Sequence, residues 1–235
     1  EKDISIKHIS YSPKSVHLHN SFLYGQTLRK LLFGPEMQIV HKNYFGTSYC
    51  LRNAVASNIQ LSHKNESKFA EPIGYKWHRD TPQFFTRSGH SQVLGKNFTY
   101  QVCIAIDASD DMNSTKVLTE SHKEEKISSH NLNVSNEKEL KKKYNIENVT
   151  MNSGDIVIID DNIFRKVGKP TKNSRWILFC SYTPWYVKPY FDFSKITLPN
   201  ITEYEKHCLH KTSSPPDPMR PVRNTFLPNN WSEKV

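Results

Sequence analysis

A chain of 235 residues, 36% hydrophobic and 11% aromatic, can bury a substantial core and is too apolar to be disordered. Its formal charge of +9 favours an anionic partner, be it a carboxylate, a phosphate, a CoA-like thioester or nucleic acid. The basic residues are scattered except for Lys141-Lys142-Lys143, and no basic helix or zinc-finger spacing occurs, which argues against specific nucleic-acid binding.

Taken in order, residues 1–19 are polar with Ile4 and Ile6 alternating, a short strand or a lead-in. Asn20 or Ser21 is placed to cap a helix through Phe33, because Tyr24, Leu28, Leu31 and Leu32 recur at helical spacing. Gly34-Pro35 supplies its stop. Met37 to Val40 and Ser48 to Ala56 read as strands, and 57–73 as a polar loop. Residues 84–97 lack periodicity and read as a second loop, broken by Gly89 and Gly95.

The clearest central strand is Phe98 to Asp107, and Lys116-Val117-Leu118 is a short one. Residues 123–147 are highly charged. Asn136 and Glu139 there suggest a capping box for a helix to about Tyr144, on the surface. Ile156 to Ile159 reads as a buried strand after the Asn152-Ser153-Gly154-Asp155 turn, and Trp176 to Tyr182 as another. From Lys188 the chain is Pro-rich and reads as a surface wrap or a mobile tail. Many short strands and few helices make a mainly β, double-sheet architecture, one domain over 1–235 with 188–235 as an extension.

Four cysteines, Cys50, Cys103, Cys180 and Cys208, show no C-x-x-C pair and no zinc spacing. Cys103 and Cys180 lie in apolar runs and are expected as buried, reduced thiols. With no apolar run long enough to span a membrane, a soluble, cytoplasmic protein is the expectation.

The chemistry concentrates in Trp77-His78-Arg79-Asp80. On an extended segment, His78 and Asp80 point to one face. An imidazole and a carboxylate so placed are two of the three ligands of the facial triad of non-haem Fe(II) oxygenases. By itself the tripeptide is weak, since a chain with eleven histidines produces such pairs by chance.

Downstream pieces strengthen it. Val102 to Asp107, Val117-Leu118-Thr119-Glu120-Ser121-His122-Lys123, Gly154-Asp155-Ile156-Val157, Asn173-Ser174-Arg175 and Tyr182-Thr183-Pro184-Trp185 follow in order. Together they resemble the phytanoyl-CoA dioxygenase family of Fe(II)/2-oxoglutarate oxygenases. The Thr119–Lys123 stretch is similar to that family's P-G-S-H-K turn.

The resemblance implies a double-stranded β-helix, a cupin-like jelly roll with flanking helices and iron in its mouth. It places His78 and Asp80 on the first two iron ligands, and Arg175 on the arginine that takes the far carboxylate of 2-oxoglutarate. The family's distal histidine falls on Arg165. A protonated guanidinium has no lone pair to give a metal, and its charge repels Fe(II). Val167 stands where the family often has a small hydroxyl residue, and His122 lies in the turn motif.

Two readings follow. One is an Fe(II)/2-oxoglutarate oxygenase that hydroxylates a C–H bond of a small, anionic substrate. The other is a relative that has lost iron, in which Arg165 reaches Asp80 and replaces the metal's role, leaving a binding module or metal-independent chemistry.

Overall fold

The computed structural model describes residues 8–12, 15–44, 49–59, 76–80, 99–124, 134–169, 171, 175–184 and 191–212. The expectations for Ile4 and Ile6, the loop 84–97 and the prolines beyond 212 lie outside these residues. Two compact units emerge: Glu1–Asn20 with Ala54–Ser181, and Ser21–Asn53 with Tyr182–Val235.

The first unit is built on strands, two of which run on along the chain into the second unit as residues 49–53 and 182–184. A six-stranded sheet runs β1-β2-β3-β9-β4-β7, with β1 His8–Ser12, β2 Ser15–His19, β3 Tyr49–Ile59, β4 Tyr100–Ala105, β7 Ile156–Asp160 and β9 Arg175–Pro184. A three-stranded sheet runs β6-β5-β8, with β5 Thr115–Leu118, β6 Ile146–Val149 and β8 Arg165–Lys166. The β1–β2, β2–β3, β4–β7, β5–β6 and β5–β8 pairings are antiparallel. Ile59, Cys103, Ala105, Ile159 and Ile177 from the large sheet close on Met151, with Val149 and Val167 packed against them. Two antiparallel sheets sharing one apolar core make the jelly roll that the strand pattern implied.

β4, next to the edge strand β7, has all six of its residues buried. β7 departs from expectation: it ends the sheet, Ile156 is exposed, and Ile159 alone of its residues is buried. β6 follows the charged helix α3 (Val134–Lys143) with only a faint apolar signal, since Ile146 is exposed and Val149 half-buried. Leu140 anchors α3 in a second core cluster with Trp77, Leu118 and Phe164.

Backbone contacts then fix the strand that carries Arg165. Leu118 donates to the Phe164 carbonyl at 2.9 Å, and the Phe164 N–H donates to Ser121 Oγ at 2.9 Å. Three residues beyond Arg165, Gly168 passes so close to Asn113 and Ser114 that a Cβ would sit 2.3–2.5 Å from their backbone atoms. Only glycine fits there.

The second unit holds α1 (Gln26–Phe33), α2 (Pro35–Tyr44) and α4 (Glu203–Cys208). α1 begins at Gln26, after a 3-10 turn at Ser21–Leu23, and ends at Gly34 as its sequence implied. Met37 to Val40, read above as a strand, is helix instead. Pro35 suits the first position of a helix, where no N–H bond is lost, and Glu36 follows in the first turn. Met37 and His41 are buried while Ile39 is 60% exposed, a helical rather than an alternating pattern.

The extension from 188 also needs correction where it is described. Thr202 and Glu205 form a capping box that starts α4, and Phe193, Cys208 and Leu209 are buried. That part is core rather than wrapping. Cys50, Cys103, Cys180 and Cys208 are all buried thiols, as expected for the two foreseen.

Candidate functional site

The H-R-D segment is held in extended form by its backbone. His78 N–H donates to the Arg165 carbonyl at 2.9 Å, Arg165 N–H returns a bond to the His78 carbonyl at 2.8 Å, and Asp80 N–H donates to the Asp161 carbonyl at 3.1 Å. This bridge brings together two segments more than eighty positions apart in sequence.

The side chains meet on the same side. Arg165 Nη2 donates to Asp80 Oδ2 and, at 3.1 Å, to Asp161 Oδ1. Gln101 Nε2 donates to the same Asp80 oxygen at 3.3 Å, and its own Oε1 accepts from the Cys103 thiol at 3.7 Å. His78 Nδ1 donates to the Lys76 carbonyl at 2.8 Å, which fixes the ring and turns Nε2 toward Asp80 Oδ1, 3.7 Å away.

Burial makes these charges consequential. Arg165 is 3% exposed and Asp161 fully enclosed. Burial by itself would lower the Arg165 pKa, but Asp80 and Asp161 more than reverse it, so its pKa stands above the ordinary arginine value. The guanidinium is a permanent cation.

Cys103 is pushed up to about 12 by burial, and its thiol feels the opposing fields of Arg165 and Arg175 on one side and Asp161 and Asp80 on the other. Arg175 opens β9, is 2% exposed and shares a strand face with the core residue Ile177. Thus His78, Asp80 and Arg165 are in direct contact, and Arg175, like Arg165, acts on the Cys103 thiol by its charge. His122 lies on the Ser121–Lys123 turn, and Val167 is packed on the core.

Sequence reasoning missed Asp161 and Gln101. Asp161 follows Asp160 at the end of β7, where paired aspartates read as a solvated turn. Its only cue is a position four residues before Arg165. Gln101 is a polar residue on the core-facing side of β4, a buried polar position that the alternation with Cys103 could have flagged.

A jelly roll with an H-x-D pair on the segment bridged to β8 defines an oxygenase-type β domain. The phytanoyl-CoA dioxygenase (PhyH) family model matches residues 15–168, well over half of the sequence, and the chain belongs to that family.

Among solved structures it is similar to the epimerase SnoN in complex with Fe3+, alpha ketoglutarate and nogalamycin RO. That match has 13% identity and a TM-score of 0.55, over 85% of this chain and 77% of that one. EctD from S. alaskensis with bound Fe matches at 14% identity and a TM-score of 0.54, over 80% and 65%. HygX from Streptomyces hygroscopicus, with nickel, 2-oxoglutarate and hygromycin B bound, matches at 11% and 0.50, over 76% and 74%. At such identities the likeness is one of fold. The chain spans only 66% of another SnoN structure and 59% of another EctD structure. No curated protein matches the sequence.

The family implies Fe(II), and the residues here do not fit it. The residue bridged to His78 is Arg165, whose guanidinium has no lone pair to give a metal and holds Asp80 by its Oδ2. Among the described residues no group of three or more His, Cys, Asp or Glu side chains is arranged to hold a metal ion. No helix among the described residues is long and apolar enough to cross a membrane.

Proposed function

We propose that this chain is a phytanoyl-CoA dioxygenase-family protein in which Arg165 stands in for the metal, and that it binds a small organic anion without iron-dependent turnover. One observation carries the reading: the Arg165 guanidinium, buried, on both Asp80 and Asp161. A cation fixed between two carboxylates fills the electrostatic role of Fe(II) while closing the coordination positions that oxygen and a keto acid need.

Arg175 is the group that receives the ligand's carboxylate, 2-oxoglutarate itself being the first candidate. The basic balance of the chain suits the same class of ligand. Four reduced, buried thiols fit a reducing compartment such as the cytoplasm.

The competing reading is the family's own activity: Fe(II) on His78 and Asp80, 2-oxoglutarate on Arg175 and hydroxylation of a small anionic substrate. Metal content and 2-oxoglutarate consumption of the purified protein decide between them, beside the Arg165→His variant. The expected result is little iron or manganese and no consumption in the unaltered protein, with metal affinity gained in Arg165→His. One tightly held Fe(II) per chain in the unaltered protein, with 2-oxoglutarate turnover, would overturn the reading.

A further inference from the structure

The other face of the H-R-D segment carries a feature that neither the family's iron nor its keto acid uses. Trp77 and Arg79 alternate with His78 and Asp80, so they leave the opposite side of the extended chain. Both are enclosed: Trp77 is 1% exposed and Arg79 5%. The Arg79 Cζ lies 4.4 Å from the centroid of the Phe164 ring, so the guanidinium is in cation–π contact with that ring. Phe164 belongs with Trp77, Leu118 and Leu140 to one apolar cluster.

Arg79 Nε and Nη2 are buried and have no hydrogen-bond partner among the described residues, and the same holds for Trp77 Nε1. Nε–H and Nη2–H are the two parallel donors of the guanidinium's side-on fork, the edge that pairs with an oxyanion at two points. Buried donors are ordinarily satisfied, and a complete fork left open in an apolar surround calls for a partner.

Glu124 is the carboxylate whose charge Arg79 feels, and it is already engaged by Lys143 Nζ at 2.7 Å and by the Tyr144 hydroxyl at 3.4 Å. Lys166 Nζ sits 5.0 Å from the Trp77 ring centroid, adding positive charge on that side.

We propose that Trp77 and Arg79 form a second anion site, on the face opposite His78 and Asp80, which takes the carboxylate of a small acid with an apolar or aromatic body. The fork grips the two carboxylate oxygens, the indole N–H is a further donor, and Phe164, already against the guanidinium, meets the body of the ligand. A carboxylate suits it better than a phosphate. It is planar and carries one charge, whereas a dianion would face Glu124 across a single guanidinium. The site shares no side chain with Arg165, Asp80 or Arg175, so it stands whether or not the chain holds iron.

Thermal unfolding of the intact chain tests it with benzoate, its neutral analogue benzamide and inorganic phosphate. Benzoate should raise Tm saturably while the other two leave it unmoved. Arg79→Lys keeps the charge and loses the fork, and should weaken benzoate binding by about tenfold or more. Arg175→Lys should leave the benzoate response intact.

Tryptophan emission should change on benzoate addition, and Trp77→Phe should remove that change. This keeps the test sharp if the Arg79 variant fails to fold. Equal responses to benzoate and benzamide, a saturable response to phosphate, or a benzoate response lost in Arg175→Lys and kept in Arg79→Lys would each overturn the proposal.

Discussion

Two buried polar clusters, one in each unit, deal with ionisable groups in opposite ways. In the first unit, Arg165 lies between Asp80 and Asp161 and the cluster is held by full charges. In the second, His41 stacks edge-on against Tyr49 and Tyr182, with ring centroids 3.7 and 4.2 Å away. Tyr204 hydrogen-bonds Tyr49 and, at 3.3 Å, His41 Nδ1, and the Cys208 thiol donates to the Tyr49 hydroxyl at 3.9 Å.

Burial there raises the Tyr49 and Tyr204 hydroxyls, pushes Cys208 up to about 12 and holds His41 well below its usual value. His41, Tyr49, Tyr204 and Cys208 all stay neutral. Charges that cancel locally are costly to separate, whereas neutral groups are vulnerable to whatever charges them.

The sharpest way to break the contrast is Arg165→Met. Two carboxylates, one of them fully enclosed, lose their cation, and the loss should be about 3–5 kcal/mol in denaturant unfolding. Adding Asp80→Asn and Asp161→Asn should recover most of it, because no uncompensated charge is left behind. If the single and triple variants are equally unstable, the ion pairs are not what holds this region.

Acid should strike the other cluster. His41 is depressed well below 6.5, and burial lowers His207 to about 4, with His210 adding to it. A depressed folded-state pKa means that stability is complete above pH 6.5 and drains away as pH falls through the folded-state values. Between pH 6.5 and 4 the loss should be on the order of 2 kcal/mol. Urea midpoints against pH measure it, and His207→Gln should flatten the curve.

A smaller effect is expected of Tyr204→Phe, which strips a partner from Tyr49 and His41. It should cost about 1–2 kcal/mol, read from the same midpoints. Smallest is Glu120→Gly. Glu120 has φ +62° at the N-terminal edge of the Ser121–Lys123 turn, where the related P-G-S-H-K turn has glycine. Removing its Cβ should stabilise by about 1 kcal/mol, since its ion pair with Lys123 is exposed and counts for little.

The strands were legible where burial leaves an apolar run, as in β4 and β9, and opaque where it does not. β6 carries almost no core and could not announce itself. α2 was hidden because Met37 and Ile39 imitate alternation over a stretch too short to show its helical period. α4 was overlooked because a proline-rich context drew attention from the Thr202-x-x-Glu205 signal.

For the site, spacing and motif order singled out His78, Asp80, Arg165 and Arg175, and the contact between Arg165 and Asp80 is the one expected of a guanidinium at the family's distal-histidine position. The second carboxylate did not follow. Asp161 is defined by the bridge that lays 76–80 beside 161–165, a long-range pairing with no local trace.

An internal guanidinium also changes what the fold depends on. A metal ion is borrowed, and it can be withdrawn by a chelator, outcompeted by another ion or altered by oxidation. The counter-charge at Asp80 is synthesised with the chain and arrives as soon as 76–80 settles against 161–165. On the proposed reading, in which Arg165 stands in for the metal, the protein should therefore mature at the same rate in iron-starved and iron-replete surroundings.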